Sequence, residues 1–180
     1  MVFSAIGYLC AMSTSANTIR DMTPTDLPYV LEIYNDVILT TTAVYSEQPH
    51  TLAMRQAWFN DRKEAGFPVI VTEEDGVITG FGTYGHFRAW PCYRFTVEHS
   101  LYVEKNHRGK GISKILLAYL IGHARGAGMH ALIAGVDSDN PASLHLHRSH
   151  GFEQVAHFKE VGFKFDKWLD LVFLELLLSK

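Results

Sequence analysis

The sequence predicts an α/β domain in which a central sheet, antiparallel through its first half, is covered by helices on both faces. Three observations predict it. Extended and helical periodicities alternate along the chain in the order β, α, α, β-β-β, α, β, α, β-β. Asp75-Gly76 stands between two apolar runs, a strong hairpin signal. Of 180 residues, 47% are apolar and 19% charged. A chain of this length buries about 70% of its unfolded surface, so a true core needs no disulfide or metal staple.

The elements follow in order. Thr18–Met22 reads as a short strand. Thr23-Pro-Thr-Asp26 opens a helix, because Pro24 suits a first helical turn and Asp26 complements the positive end of the dipole. Leu27, Val30, Leu31, Ile33, Tyr34 and Val37 then recur at helical spacing. The β-branched stretch Thr40–Pro49 is expected to be a loop or a short extended piece. Leu52–Ala65 is a second helix, stopped by Gly66 and Pro68. Pro68–Thr72 and Val77–Tyr84 flank the Asp75-Gly76 turn, and Tyr93–Val103 is a third, longer strand. Ile112–Arg125 is an amphipathic helix ended by Gly126 and Gly128. Ala131–Val136 is a short buried strand, and Asn140-Pro141 begins a helix ended by Gly151. Phe152–Val161 and Lys167–Leu177 are the last two strands.

No repeat or linker interrupts this pattern, so residues 18–180 are expected to form one domain. Residues 1–17 read as a loosely ordered extension, with Met12 as an alternative start. No Lys or Arg precedes their apolar run, which Ser4 and Gly7 break, so they do not read as a signal peptide. No stretch has about 18 continuous apolar residues, so no membrane span is expected. Two cysteines, Cys10 and Cys92, make neither a disulfide framework nor a cysteine zinc site. A reducing, cytoplasmic setting follows as the default. The net charge of −3 provides no global field for nucleic acid or an anionic membrane.

The most informative segment is His107-Arg-Gly-Lys-Gly-Ile-Ser113, between a strand ending at Val103 and a helix starting near Ile112. Gly109 and Gly111 let the backbone curl so that successive N–H groups face one concavity, and the helix start adds unpaired donors. Arg108, Lys110 and Lys114 add formal charge. The chemistry is capture of a phosphate or pyrophosphate; the plainer reading is a tight β-α turn with ordinary surface basics. Neither GxxxxGK[ST] nor GxGxxG is present.

Arg108-Gly-Lys-Gly-Ile-Ser113 resembles the R/Q-x-x-G-x-G/A signature of the GNAT acyltransferase superfamily, with Ser113 where a Gly or Ala is usual. Tyr93-Arg-Phe-Thr-Val-Glu98 with Ser100-Leu-Tyr-Val103 resembles a strand of the phosphinothricin and methionine sulfone (sulfoximine) N-acetyltransferase subgroup. Asn140-Pro-Ala-Ser143, Leu146-His147 and His150-Gly-Phe152 resemble its second cofactor helix, and Gly162-Phe-Lys164 with Trp168-Leu-Asp170 its C-terminal motif. The resemblance covers about residues 18–178. It implies the GNAT fold: a mixed, mostly antiparallel sheet with a splayed pair of parallel strands and helices on both faces. It also implies acetyl-CoA as co-substrate, a small amino-acid-like amine as acceptor, and a homodimer.

In an extended strand Thr96, Glu98, Ser100 and Tyr102 share one face, and Val97, His99, Leu101 and Val103 the other. A carboxylate in a partly dry cleft has a raised pKa and can serve as general base. By residue type alone, Glu98 is either that base or a structural carboxylate paired to Arg94 or Arg88; the resemblance assigns it the base. The resemblance further implies that the Leu101, Tyr102 and Val103 backbone pairs with the pantetheine arm and polarises the thioester. It gives the pyrophosphate to Arg108, Gly109, Lys110, Gly111, Ile112, Ser113 and Lys114, and further cofactor contacts to Asn140 and Ser143. Asn140 also reads as a helix N-cap. His147 stands where many relatives carry a tyrosine acid, so a histidine, water or bulk solvent could protonate the leaving thiolate.

Arg88 can bind a carboxylate bidentately, and Trp90, Phe87 and Tyr93 can wall a small pocket. The resemblance puts Arg88, Ala89 and Trp90 with Glu98 and His99 at the amino-acid substrate. Tyr34, Asn35 and Tyr45 are weaker candidates for the opposite wall, and Lys164–Asp170 is expected at a dimer interface or site rim. His145 and His147 point about 200° apart on a helix, and no nearby carboxylate or cysteine completes a site with His147 and His150, so no metal is expected. A protein lysine, a protein N-terminus or a polyamine is the alternative acceptor, and a non-catalytic coenzyme A binder the alternative role.

Overall fold

The computed structural model describes residues 17–178. The expected extension 1–17 therefore lies outside the described residues except for Asn17. Seven strands form one sheet in the order β1-β2-β3-β4-β5-β7-β6. They are β1 (Thr18–Asp21), β2 (Val69–Glu74), β3 (Val77–His86), β4 (Thr96–Val103), β5 (Ala131–Asp137), β6 (Glu153–Lys164) and β7 (Lys167–Leu177). Every neighbouring pair is antiparallel except β4 and β5, as expected of a mixed, mostly antiparallel sheet.

Among the described residues four α-helices cover it: α1 (Leu27–Thr40), α2 (Leu52–Glu64), α3 (Ile112–Gly126) and α4 (Pro141–Ser149). One core joins α3 and Leu146 of α4 to the sheet through Ile112, Leu116, Leu120, Val97 and Leu132. The other joins α1 and α2 to the opposite face through Val30, Ile33, Phe59, Val71 and Phe81. Alternate strand residues supply the two layers, as the pleat requires. Within β4, Val97 and His99 are buried and Leu101 and Val103 pack against the first core, whereas Tyr102 packs against the second.

Local chemistry explains the punctuation. Asp75 and Gly76 both take positive φ, 51° and 80°, the signature of a tight hairpin turn. Asn140 caps α4 by accepting the Ser143 amide at 3.0 Å, with Pro141 in the first turn.

Several boundaries differ from expectation by a residue or two, and three differences have a clear local cause. The long strand starts at Thr96 and not Tyr93, because Pro91 has no N–H and fixes a tight turn closed by Tyr93 N–H to Trp90 O and Arg94 N–H to Pro91 O. Gly126 is the last residue of α3 rather than its stop; the left-handed residue is Gly128. β6 runs on to Lys164, beyond the expected Val161, because two bulges and a left-handed Glu160 absorb the irregularity. Its turn uses Phe165 and Asp166, both at positive φ, so no glycine marked it in the sequence.

Candidate active site

The parallel pair is where the sheet opens. β4 and β5 are in register only at Thr96↔Ala131, Val97↔Leu132 and Glu98↔Ile133. Beyond Glu98, β4 stays paired to β3 as far as Val103↔Gly80, and β5 stays paired to β7 as far as Asp137↔Leu171. The facing backbone edges of His99–Val103 and Ala134–Asp137 thus have no strand between them. Edge groups of this kind need a partner from elsewhere.

Cavities follow the fork. A narrow one of about 80 Å³ lies between Ser100–Tyr102 and Ala134–Asp137, with His99, Asn140, Ser143 and His147 at its sides. It leads to a groove of about 290 Å³ lined by Leu101, Val103, Arg108, Gly109, Ile112, Ser113, Asn140 and Ser143. A third, of about 220 Å³, adjoins both and includes Tyr102 and Val37. Of the twelve residues expected to hold the cofactor, all but Lys110, Gly111 and Lys114 line one of these cavities. Lys110 and Lys114 are exposed beside the groove.

The Gly109–Gly111 turn is built as its glycines predict. Gly109 and Gly111 have φ of 79° and 84°, values that a side chain would strain. Lys114 and Ile115 make the first bonds back to Gly111 O, so the earlier amides lack an intrahelical acceptor. The turn is approached through a 3₁₀ segment, Lys105–His107, which Glu104 caps by accepting from Asn106 N–H at 2.8 Å while contacting His107 Nδ1 at 2.6 Å. Arg108 donates to Val103 O at 3.3 Å and pairs with Asp36 of α1 at 3.0 Å.

Glu98 marks the point where the pair parts. Its Oε1 lies 3.1 Å from where a β-carbon on Gly135 would be. Burial pushes its carboxyl above the usual carboxylate range, and the Arg88 charge pulls the other way. Among the described residues neither Arg88 nor Arg94 forms an ion pair with it. That removes the structural pairing the sequence left open.

His99 and His147 meet behind the narrow cavity, Nε2 to Nε2 at 3.1 Å. His147 Nδ1 is 2.7 Å from Ser143 O, which can only accept, so Nδ1 carries the proton. The neutral His147 Nε2 is then an acceptor, and His99 Nε2 donates to it. His99 Nδ1 is left as a buried acceptor with no partner. Burial pushes His99 down to about 3, helped by His147, and burial likewise lowers His147. Both are neutral at pH 7, and both nitrogens of His147 are engaged.

The expected substrate residues divide. Glu98 and His99 stand at the fork. Arg88, Ala89, Trp90 and Tyr93 lie exposed on the β3–β4 loop outside the three cavities, with Trp90 74% exposed and Arg88 over the Phe87 ring at 5.1 Å. Asn35 is occupied structurally, exchanging two hydrogen bonds with the His50 backbone. Tyr34 packs edge-on to Tyr102 at 5.3 Å with the Arg55 guanidinium over its ring. Sequence reasoning missed Ala43, Gly135 and Asp137, which line the cavities. Asp137 is buried, and its Oδ2 has no partner. Among the described residues no group of three or more His, Cys, Asp or Glu is arranged to hold a metal, and no helix is long and apolar enough to cross a membrane.

Residues 30–152 match the acetyltransferase (GNAT) family. The chain is 46% identical over 163 residues to an L-methionine sulfoximine/L-methionine sulfone acetyltransferase of Pseudomonas aeruginosa, covering 90% of this chain and 95% of the relative. It is 38% identical over 165 residues to a phosphinothricin N-acetyltransferase of Alcaligenes faecalis, covering 91% and 84%. The solved structure of an acetyltransferase from Salmonella typhimurium with its cofactor acetyl-CoA superposes with a TM-score of 0.90 at 43% identity, covering 92% of this chain and 96% of that one.

Proposed function

The chain belongs to the acetyltransferase (GNAT) family and is an acetyl-CoA-dependent N-acetyltransferase, and we propose that it acetylates the amine of a small amino acid of the methionine sulfone, methionine sulfoximine or phosphinothricin type. The observation that carries the mechanism is the carboxylate of Glu98 at the fork of β4 and β5, buried enough to be raised in pKa and free of an ion pair.

The cavity chain fits acetyl-CoA. The amides of the Gly109–Ser113 turn suit its pyrophosphate, and Arg108, Lys110 and Lys114 supply charge. Asn140 and Ser143 border the passage from groove to narrow cavity. The free backbone edge of Leu101–Val103 pairs with the amide-bearing arm in the manner of a missing strand. Acetyl-CoA supplies the activated acetyl group; the chain orients it and manages protons.

An ammonium must lose its proton before it can attack, and Glu98 accepts that proton directly or through one water. The amine then attacks the thioester while an amide of Leu101–Val103 stabilises charge developing on the carbonyl oxygen. Because both nitrogens of His147 are engaged, solvent rather than His147 takes the second proton from the nitrogen as the amide forms and protonates the departing thiolate, and His147 with His99 keeps the α4 side of the cavity fixed. No acyl-enzyme is involved: the described cysteine, Cys92, is exposed and away from the cavities.

Arg88 and Trp90 close over the substrate from the β3–β4 loop, Arg88 meeting its carboxylate. The same reading includes a cytoplasmic homodimer. β6 is an edge strand whose Val155, Phe158, Val161 and Phe163 are exposed, and Trp168 of β7 beside them is 61% exposed. A second copy would cover such an apolar face.

A thiol-release assay tests the substrate class. Acetyl-CoA is offered with methionine sulfone, methionine sulfoximine, phosphinothricin, plain amino acids, polyamines and a lysine peptide. Turnover confined to the sulfone-type amino acids supports the reading; turnover on peptide or polyamine alone overturns it.

A further inference from the structure

We propose that Lys164 is a positioning residue for the cofactor cleft, holding the strap between α1 and α2 in place as one of its walls. The inference rests on the cleft being the acetyl-CoA site. In β6, twelve residues long, Lys164 alone is buried, with 1% exposure. An ammonium has three donors and must have all of them satisfied when taken out of water. Here each finds a carbonyl: Ile38 O at 2.7 Å, Thr41 O at 2.7 Å and Val44 O at 2.8 Å. The Phe165 ring lies 4.9 Å away.

These acceptors explain why the buried residue is a lysine. α1 ends at Thr40, so the Ile38 carbonyl in its last turn lies at the negative end of its dipole without an intrahelical bond, and the Thr41 and Val44 carbonyls follow outside the helix. An apolar side chain would leave them orphaned. The carbonyls of Thr41 and Val44 bracket Ala43, and Ala43 lines all three cavities of the cleft. Fixing 41 and 44 fixes the wall between them.

The strap has a second seat on the same hairpin. The Tyr45 ring lies 2.6 Å from where a β-carbon on Gly162 would be, so only glycine admits it there. Its hydroxyl donates to Asp170 O at 3.1 Å. The β6–β7 hairpin thus reaches the active site from over a hundred residues away, through contacts that touch neither substrate.

The test is Lys164→Met, which keeps the length of the side chain and removes its donors. Acetyl-CoA affinity is measured by calorimetry, and amide hydrogen exchange across residues 41–46 by mass spectrometry, well below the melting temperature. The expected result is a Kd raised about tenfold, with kcat at saturating acetyl-CoA within about threefold of wild type. Exchange should quicken in the strap and stay unchanged in α3, and Lys164→Arg should recover part of the affinity. An unchanged Kd and unchanged strap exchange, even with a lowered melting temperature, would overturn the proposal. If Lys164→Met does not fold, Lys164→Gln, shorter and with two donors for three carbonyls, makes the same test; a Kd that stays at the wild-type value overturns it. A wild-type protein that binds acetyl-CoA but acetylates no sulfone-type amine sinks the substrate reading alone. One that does not bind acetyl-CoA sinks both.

Discussion

The Glu98 carboxylate stands 3.1 Å from the place that a β-carbon on Gly135 would fill, across the point where β4 and β5 separate. The same β-carbon would lie 3.4 Å from Phe173. Gly135 therefore sets where the carboxylate sits. Gly135→Ala should displace it by a few tenths of an ångström and lower kcat about tenfold, given how steeply rates fall with misplaced groups. Steady-state kinetics check this; an unchanged kcat would show that the carboxylate's position is not critical.

Arg108, at the start of the Gly109–Gly111 turn, is tied to α1 through its ion pair with Asp36. Asp36→Asn should release the guanidinium to the pyrophosphate and tighten acetyl-CoA by about threefold, a typical worth for an exposed pair. Arg108→Gln should loosen it. Calorimetry on both variants reads the opposite signs, and both effects should shrink as salt rises.

The buried His99–His147 pair makes stability depend on pH. Both have folded-state pKa values below the ordinary 6.5, His99 near 3. Between those values the unfolded chain binds protons that the folded one refuses. Their contribution is present above pH 6.5 and is lost as pH falls, by about 1.4 kcal/mol per unit for His99, with His147 adding a loss of the same sign. Denaturant unfolding from pH 7 to 4 should show this slope, and His99→Phe should flatten it. Nitrogen-detected NMR at pH 7 should find His147 protonated on Nδ1 and His99 on Nε2.

Glu98 has the opposite linkage. Its folded-state pKa is raised by burial, so the folded state holds the proton more tightly than the unfolded one. The resulting stability is present at low pH and lost as pH rises through the folded pKa. Once ionised, the buried carboxylate is a burden on the fold. Glu98→Gln should therefore melt no lower than wild type, and a fall of several degrees would contradict this account.

Much of this was legible in the sequence because its signals are local. The Asp75-Gly76 turn, the Asn140 cap and the Gly109–Gly111 curl are each set by residues a few positions apart, and each forms as its chemistry dictates. Period-two alternation also put Glu98 and His99 on opposite faces of β4 correctly. The misses are long-range or hidden. Tyr93–Phe95 has strand composition, but Pro91 turns the backbone first. The β6–β7 turn uses Phe165 and Asp166 in a conformation that glycine normally announces. Ala43, Gly135 and Asp137 join the site only because the sheet splays and the strap folds over it. An isolated alanine or glycine carries no mark of such a place. Lys164 was expected at an interface or rim, and nothing in its neighbours reveals three carbonyls contributed by α1 and its strap.

The role of Glu98 as general base is open to a direct kinetic test. The most direct measurement is kcat/KM for the amine from pH 4 to 9 in wild type and Glu98→Gln, with acetyl-CoA binding measured alongside. Wild type should show an acid limb with its midpoint above about 4.3, the ordinary glutamate value, and the variant should lose it. In the variant kcat should fall by about 10²-fold or more with acetyl-CoA affinity retained. A variant that keeps wild-type turnover and the same acid limb would contradict it.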